Sequence, residues 1–182
     1  MKEHLVHIVE QCKKDDPKAQ KELYEMYAPL FMSIALRYMK NKESAEDVLV
    51  MGFYKIFSKI DKYKGEGSFE GWMKRIIVNE ALMQIRKHNN LYMTLELKDV
   101  DRVEEASVVD DLAYDDLLNL LNELPPGYRT IFNMYVIEGY KHREIADLLE
   151  ISINTSKSQL ILAKKRMREL IKKKGFNQTM IS

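Results

Sequence analysis

Several features that often define the class of a protein are scarce in this sequence of 182 residues. A single cysteine, Cys12, excludes an internal disulfide, and we expect a small packed thiol there rather than a redox centre. No apolar run reaches the roughly 18 residues that a membrane-spanning helix requires. The N-terminal segment carries acids and histidines, unlike a secretory signal. These absences predict a soluble cytoplasmic protein.

The chain also has almost no net charge, but its charged residues are unevenly distributed along the sequence. The chain as a whole carries +1. Between Thr94 and Asp116, nine acidic residues against two basic ones give −7. Between Asn154 and Lys174, eight basic residues against one acidic residue give +7. Such asymmetry is informative about partners rather than about fold. The basic segment favours an anionic partner such as nucleic acid.

Strand patterns are nearly absent, and apolar residues recur three and four positions apart, as they do in helices. Pro29 lies inside one such stripe, where we expect a first helical turn or a bend. The stripe is formed by Leu23, Tyr27, Leu30 and Ile34. We predict an all-α fold class, in which two small helical domains are joined by an acidic flexible linker.

A short helix, a turn and a longer helix are predicted near the C-terminus. Ser152 follows the turn and can cap the longer helix. One face of that helix is lined by Ser156, Leu160, Ala163, Met167 and Leu170, and one face of the shorter helix by Ile145, Ala146 and Leu149. This order is that of a helix-turn-helix, whose second helix fits the major groove of DNA.

The other face of the same motif supplies the candidate contacts to DNA phosphates and base edges. These contacts are Arg143, Asn154, Thr155, Lys157, Ser158, Gln159, Lys164 and Lys165. Basic surface helices are common, so a helical hairpin with a solvated lysine face is the alternative.

A helix predicted from Glu46 to Ile60 has apolar residues on both sides. Leu49, Phe53, Ile56, Phe57 and Ile60 fall on one side, which we expect to be core. Met51 falls opposite them, and Val50 and Tyr54 flank it. Apolar residues on a solvent-exposed helix face indicate a docking surface, although single exposed apolar residues are also common on protein surfaces.

The segment from Lys62 to Trp72 contains three glycines and is the clearest loop. A helix is predicted after it, from about Phe69 to Lys87. Aromatic rings mixed with bases suit single-stranded DNA, because bases stack on rings and cations follow phosphates. The alternative is that Phe69 and Trp72 belong to the core. The candidates are Lys64, Phe69, Trp72, Arg75, Asn79, Arg86 and Lys87.

Three stretches carry a resemblance to a known family. They are "ELYEMYAPLFMSIALRYMKNKESAEDVLVMGFYKIF", "YKGEGSFEGWMKRIIVNEAL" and "LNELPPGYRTIFNMYVIEGYKHREIADLLEIS", followed by "TSKSQL". In order and spacing they resemble the extracytoplasmic-function sigma factors of bacterial RNA polymerase. The resemblance covers about residues 20–90 and 112–172.

The resemblance implies a division of labour along the chain. Residues 1–92 would be a sigma region 2 domain that binds core RNA polymerase and recognises and melts the minus-ten element. Residues 93–111 would be the acidic linker. Residues 112–175 would be a sigma region 4 domain that recognises the minus-thirty-five element. Carried over by position, the polymerase-binding residues are Asp47, Val50, Met51 and Tyr54.

The partners implied are core RNA polymerase, promoter DNA and an anti-sigma factor, often tethered to the membrane. No catalytic residue, cofactor, metal or small-molecule substrate is implied. The chain departs from the family pattern at several positions. Val50 and Met51 replace glutamine and glutamate, Glu150 replaces the turn glycine, and Lys141 replaces a capping serine. Gln159 and Leu162 stand where arginines are frequent.

Two other functions compete with the sigma factor. A stand-alone helix-turn-helix regulator would use only the C-terminal motif and would bind free DNA by itself. An enzyme such as a nuclease would need clustered catalytic groups. The histidines His4, His7, His88 and His142 are scattered, and no nucleophile–base motif or phosphate-binding loop is present. The sequence therefore favours a binding protein.

Overall fold

A computed structural model describes residues 2–88 and 114–175, and every regular element in these ranges is helical. The prediction of an all-α fold is thus confirmed. The chain divides into two compact units, Met1–His88 and Asn89–Ser182. The acidic linker predicted at 93–111 lies outside the described residues. None of the described helices combines the length and apolarity needed to cross a bilayer.

The first unit consists of four α-helices. They are α1 (Lys2–Cys12), α2 (Pro17–Tyr38), α3 (Lys42–Lys59) and α4 (Phe69–His88), with a 3₁₀ turn (Ile60–Lys62) after α3. Helices α2, α3 and α4 pack on one another, and α1 packs on α2.

Short polar side chains fix where α2 and α3 begin. The carboxylate of Asp16 accepts hydrogen bonds from the backbone N–H of Lys18 at 2.8 Å and of Ala19 at 3.3 Å. Pro17 follows it at the first helical position, where its missing N–H costs nothing. Asn41 caps α3 in the same way, accepting from the N–H of Ser44 at 2.8 Å.

The predicted stripe on α2 needs two corrections. Leu30 is exposed, and Phe31 is buried in its place. Steps of four from Leu23 through Tyr27 reach residue 31, and the other three residues of the predicted stripe are buried, so the face is correct except at this position. Pro29 lies inside α2 rather than in its first turn. Because Pro29 is exposed, water can satisfy the helical carbonyl that its missing N–H leaves unpaired.

Cys12 is fully buried, so the prediction of a packed thiol is confirmed. Desolvation by burial raises the pKa of the Cys12 thiol to about 11, and the nearby carboxylates of Asp16 and Glu22 add to the shift. The thiol is therefore protonated at neutral pH and is a poor nucleophile.

The second unit also consists of four α-helices within the described residues. They are α5 (Tyr114–Glu123), α6 (Pro126–Phe132), α7 (His142–Leu149) and α8 (Ile153–Lys173). A π-helical turn, Asn133–Ile137, follows α6 directly. The turn ends close to Gly139, whose φ of +77° is readily adopted only by glycine.

The core of this unit joins α5 and α6 to the C-terminal part of α8. Ion pairing between Lys174 and Glu123 closes the same end, and it lowers the pKa of the Glu123 carboxyl. The buried cluster is formed by Leu120, Leu121, Leu124, Phe132, Ala163, Met167, Leu170 and Ile171. The end of α8 that begins at Ile153 packs on α7, and α6 contacts α8 at both ends, so the two ends differ in having α7 or α5 as the second neighbour.

Candidate nucleic-acid interface

The outer face of α3 is formed by the four residues that the sequence proposed for polymerase binding. Asp47, Val50, Met51 and Tyr54 are all exposed, with Met51 at 43%. Val50, Met51 and Tyr54 follow Asp47 by three, four and seven residues, which places the four side chains on one stripe of the helix. On the opposite side Leu49, Phe53, Ile56 and Ile60 are buried and Phe57 is half-buried. The predicted division of α3 into two faces is confirmed.

Beside this stripe an ion pair joins α3 to α4. Lys55 pairs with Glu80, which is buried, and the Lys55 ammonium also lies 3.6 Å from the sulfur of Met83. Gly52 allows the two helices to approach, because a Cβ at this position would lie 2.4 Å from Cδ1 of Ile77. Sequence reasoning did not find the ion pair, since the two charges are 25 residues apart and no local pattern links them.

The glycine loop leads into an aromatic cluster. Gly65 and Gly67 have φ of +78° and +74°, conformations that favour glycine. The rings of Tyr63, Phe69 and Trp72 pack together with centroids 4.9 to 5.7 Å apart. The Tyr63 hydroxyl donates to the carbonyl of Gly67 at 2.9 Å, which ties the loop to the cluster.

The candidate minus-ten residues do not all share one environment. Phe69 is only 7% exposed, and its ring is covered by its aromatic neighbours, so the structure favours the packing role that the sequence left open. Trp72 and Arg86 are half-buried. The exposed candidates are Lys64, Arg75, Asn79 and Lys87.

Helix α4 brings three of these polar candidates into line. Arg75, Asn79 and Arg86 are separated by four and seven residues, so they lie within about 40° of one another around the helix axis. A cleft of about 880 Å³ opens beside the glycine loop, between that loop and α1. The contribution of α1 to this cleft, through Val6 and Val9, was not predicted, because nothing in the sequence places α1 next to the loop.

Both helices of the helix-turn-helix are capped at their first turns, α8 by the predicted residue and α7 by a different one. The Ser152 hydroxyl accepts from the N–H of Thr155 at 2.9 Å, as expected. At the start of α7, Lys141 provides no side-chain acceptor, and the carboxylate of Glu144 accepts from the N–H of Lys141 at 2.8 Å instead. Glu150, which replaces the turn glycine of the family pattern, has a left-handed conformation, with φ of 56° and ψ of 42°.

Gln159 was predicted to face DNA, and this prediction is wrong. Its side chain is 3% exposed and packs against Gly127, where a Cβ would lie 3.1 Å from Oε1 of Gln159. The reason is geometric: residue 159 is three positions after Ser156 and four before Ala163, both of which are buried.

The other candidates on the motif are accessible to differing degrees. Ser158 donates its hydroxyl to the carbonyl of Asn154 at 2.8 Å, so part of its hydrogen-bonding capacity is used within the helix. Arg143, Asn154, Lys157 and Lys165 are exposed, and Thr155, Ser158 and Lys164 are half-buried.

A polar link between the two helices of the motif was not predicted. The Nδ1 atom of His142, at the start of α7, lies 2.9 Å from the hydroxyl of Ser156, which is buried on α8. The imidazole also stacks on the ring of Tyr135, with centroids 4.4 Å apart. The serine in an otherwise apolar stripe was the signal in the sequence that could have indicated a buried partner.

Replacing Glu150 by glycine is expected to stabilise the second unit by about 0.5–1 kcal/mol. The gain arises because glycine adopts the left-handed conformation without the steric cost of a Cβ, which outweighs its extra freedom in the unfolded chain. The measurement is urea unfolding followed by far-UV circular dichroism. Trp72, the one tryptophan, reports separately on the first unit. Glu150→Ala retains the Cβ and should give no such gain; an equal gain would attribute the effect to the glutamate side chain.

Within residues 2–88 and 114–175, no three His, Cys, Asp or Glu side chains are placed to hold a metal ion. The geometry instead provides two accessible basic surfaces and one accessible apolar stripe, which are features of a protein that binds macromolecules.

Two all-helical units, the second with an exposed basic helix in a helix-turn-helix, are the architecture of a DNA-binding protein of the helix-turn-helix class. The family models agree and divide the chain in the same way. The model for Sigma-70 region 2 matches residues 23–90, and the model for Sigma-70, region 4 matches residues 114–167. The chain belongs to the extracytoplasmic-function sigma factors.

Individual relatives support the same assignment. The chain is 28% identical over 158 residues to the ECF RNA polymerase sigma factor SigE of Mycolicibacterium smegmatis, with 84% of this chain and 61% of that protein covered. It is 27% identical to the ECF RNA polymerase sigma-E factor of Haemophilus influenzae, with 92% of this chain and 93% of that protein covered. It is 25% identical to the ECF RNA polymerase sigma factor SigW of Bacillus subtilis, with 90% of this chain and 95% of that protein covered.

Solved structures show that the fold is shared. The sigma factor RpoE from Bartonella quintana, crystallised with the anti-sigma factor NepR, superimposes with a TM-score of 0.54 at 22% identity, covering 84% of this chain and 96% of that one. CnrH, in complex with the cytosolic domain of CnrY, superimposes with a TM-score of 0.50 at 16% identity. The match covers 91% of this chain and 95% of that one.

Proposed function

We infer that this chain is the promoter-specificity subunit of a bacterial RNA polymerase. It binds the core enzyme and directs initiation at promoters with matching minus-ten and minus-thirty-five elements. The observation that carries this function is the presence of regions 2 and 4, in that order, in one chain. A stand-alone regulator would need only the helix-turn-helix. The chain contributes binding, and the chemistry of RNA synthesis belongs to the polymerase.

The polymerase-binding surface is the exposed stripe of α3. Val50, Met51 and Tyr54 present an apolar strip in a region where a soluble monomer would carry polar residues, and Asp47 adds one charge at its end. An apolar strip with a charged edge is the usual composition of a protein–protein contact. The departure from glutamine and glutamate at positions 50 and 51 makes this contact more apolar than the family pattern implies.

Minus-ten DNA is proposed to lie along α4 and the glycine loop. Arg75 and Arg86 would follow the phosphates, and Asn79 between them has a donor and an acceptor for a base edge. Lys64 and Lys87 would add cationic contacts, and half-buried Trp72 offers part of a ring for stacking. The cleft beside the loop is large enough to take an extruded base.

Minus-thirty-five DNA is proposed to lie against the start of α8. Asn154, Thr155 and Ser158 project from the first turns of that helix, as residues that contact base edges do in such motifs. The remaining cationic contacts come from Arg143, Lys157, Lys164 and Lys165. Gln159 is not among these contacts, because it is buried.

An anti-sigma factor that covers these surfaces is a further proposed partner, by analogy with relatives crystallised with such factors. The division into a polymerase-binding domain at 1–92, a linker at 93–111 and a DNA-binding domain at 112–175 is the domain organisation we propose. Because core polymerase and promoters are its partners, we infer that the protein acts in the cytoplasm.

Reconstituted transcription tests the proposed function. Core polymerase mixed with this chain should initiate from specific sites in genomic DNA from the source organism, whereas core alone should not. The chain alone should bind promoter fragments weakly in a gel shift, and the complex tightly. Tight, specific binding by the chain alone, without specific initiation by the complex, would instead support a stand-alone regulator.

A further inference from the structure

The first unit exposes three methionines, although methionine is a residue type that is usually buried. Met26, Met51 and Met83 have relative exposures between 43% and 52%. The thioether of an exposed methionine can be oxidised to a sulfoxide, which is polar, and the change is reversible. Among the described residues, the methionines shielded from an oxidant in water by burial are Met39, Met73, Met134 and Met167.

The thiol of the chain does not compete with these thioethers for an oxidant. Cys12 is the single cysteine, it is fully buried, and burial raises its pKa to about 11. Peroxides react with the thiolate rather than with the protonated thiol. Because Cys12 is neither accessible nor ionised at neutral pH, a peroxide added to the folded chain reacts with exposed methionine first.

Met51 and Met83 differ in the surroundings of their sulfur atoms. The Lys55 ammonium donates to the Met83 sulfur at 3.6 Å and so draws on the lone pair that an oxidant attacks. Within residues 2–88 and 114–175, no hydrogen bond to the Met51 sulfur is present. Lys55 follows Met51 by four residues on α3, but its ammonium is held at α4 by Glu80 and Met83. The lone pairs of the Met51 sulfur are therefore open to an oxidant.

Met51 also differs from the other two exposed methionines in its position. It lies in the apolar strip of α3, with Val50 and Tyr54, whereas Met26 is on α2 and Met83 on α4. A sulfoxide oxygen is a strong hydrogen-bond acceptor. When the strip docks, this oxygen would leave water for a contact made by apolar side chains, and a buried polar group without a partner costs free energy.

We propose that Met51 is an oxidation site through which a peroxide weakens the binding of this chain to core polymerase. The proposal rests on the proposed function and adds to it a chemical modification at one named atom, the Met51 sulfur. In the free chain the modified side chain stays in water, so the stability of the fold changes little. The modification therefore acts on docking and not on folding.

The chemistry at Met51 is a two-electron oxidation. A sulfur lone pair attacks one oxygen of hydrogen peroxide, the O–O bond breaks, and a sulfur–oxygen bond forms. The departing hydroxide takes the proton of the transferred hydroxyl and leaves as water, so the sulfur is oxidised and the peroxide is reduced. A methionine sulfoxide reductase reverses the step with two thiols, which form a disulfide while the oxygen leaves as water.

Docking and oxidation at Met51 should exclude each other. In the complex with core polymerase the strip is covered, so peroxide should oxidise Met51 at least about tenfold more slowly than in the free chain, whereas Met26 should react at the same rate in both. Peptide mass spectrometry after a short exposure to peroxide, stopped with catalase, measures the sulfoxide fraction at each methionine. Equal rates at Met51 in the free and bound chains would show that the strip is not covered.

The main test compares the affinity of the full chain for core polymerase before and after treatment with millimolar hydrogen peroxide. Treatment should weaken binding about tenfold, and methionine sulfoxide reductases A and B with dithiothreitol should restore it. Met51→Leu keeps an apolar side chain of similar volume without the sulfur, so its affinity should start within about twofold of the unsubstituted chain and survive treatment. Met26→Leu, the matched control, should remain sensitive.

A second variant reproduces the effect without an oxidant. Met51→Gln places a neutral polar side chain of similar length in the strip and should weaken binding about tenfold with no peroxide present. Far-UV circular dichroism of each treated chain should match that of the untreated chain, which shows that the loss of affinity does not come from unfolding.

Two results of the main test would overturn the proposal. A treated Met51→Leu chain that loses as much affinity as the treated unsubstituted chain would assign the sensitivity to another residue. Complete conversion of Met51 to the sulfoxide with unchanged affinity would show that the contact tolerates the added oxygen. The proposed function is judged separately on the untreated chain. Its failure would appear as absence of binding to core polymerase, and of specific initiation, before any peroxide is added.

Discussion

Met51→Glu is expected to weaken binding to core polymerase by at least about 2 kcal/mol, roughly 30-fold in Kd. The substitution places a charge between Val50 and Tyr54 in the apolar strip of α3. Although the family pattern has glutamate at this position, a polymerase surface matched to the more apolar strip of this chain would leave the charge without a partner on docking. Because Met51 is 43% exposed, the free energy of unfolding should change by no more than about 0.5 kcal/mol. The measurements are titration of labelled chain with core enzyme, and urea unfolding followed by Trp72 fluorescence.

Met26→Glu provides a matched control for this substitution. Met26 is 44% exposed on α2, so both variants add the same charge at the same exposure. Tyr24 packs on Phe53 of α3, and Met26 is about 200° further around α2, directed away from that contact. Met26→Glu should leave polymerase affinity unchanged. Equal losses in the two variants would mean that added negative charge on the whole domain, rather than the α3 stripe, governs binding.

Lys55→Ala is expected to destabilise the first unit by about 3 kcal/mol, because it leaves the buried carboxylate of Glu80 without its partner. This figure is at the low end for a broken buried ion pair, since Lys55 itself is partly solvated. Urea unfolding monitored by Trp72 measures the effect on this unit separately from the second.

A paired replacement distinguishes the ion pair from simple packing. Lys55→Met combined with Glu80→Leu removes both charges and keeps much of the apolar volume, so its stability should lie within about 1 kcal/mol of the unsubstituted protein. Lys59→Ala, at an exposed position one turn further along α3, should change stability by less than about 0.5 kcal/mol. If Lys55→Ala costs as little as Lys59→Ala, water reaches Glu80 and the pair does not hold α3 to α4.

Local patterns in the sequence were enough to predict the main apolar stripes and the helix-turn-helix. The stripes that begin at Ser156 and at Leu49 follow helical spacing, and all of their residues except half-buried Phe57 are buried as predicted. The cap at Ser152 was also predicted, because a cap depends on a few neighbouring residues. The exposure of Met51 followed from the same helical geometry.

Contacts between distant segments could not be predicted in this way. The pairing of Lys55 with Glu80 depends on how α3 and α4 pack, and the contact between His142 and Ser156 depends on the angle between α7 and α8. Arg129 is a similar case: it is buried and donates from Nη1 to Oδ1 of Asn122 at 3.0 Å, although charged residues usually lie outside.

The error at Gln159 has a different origin. A polar residue beside positions predicted to face DNA was assigned to the same face by residue type, although its spacing from Ser156 and Ala163 favoured the core. A buried amide is tolerated there because Gly127 leaves room for its side chain. Where polarity and spacing disagree on a helix, the spacing was the better guide in this chain.

The packing of α5 on α8 has a mechanical consequence. A force applied to the chain ahead of Tyr114 is transmitted through Leu120 and Leu121 into the last turns of α8, where Met167 and Ile171 lie and where Lys174 pairs with Glu123. The turns proposed to face DNA begin at the opposite end of a helix roughly 30 Å long. With the proposed function, tension arising during initiation would act first on this hydrophobic anchor and would leave the shape of the opposite end unchanged.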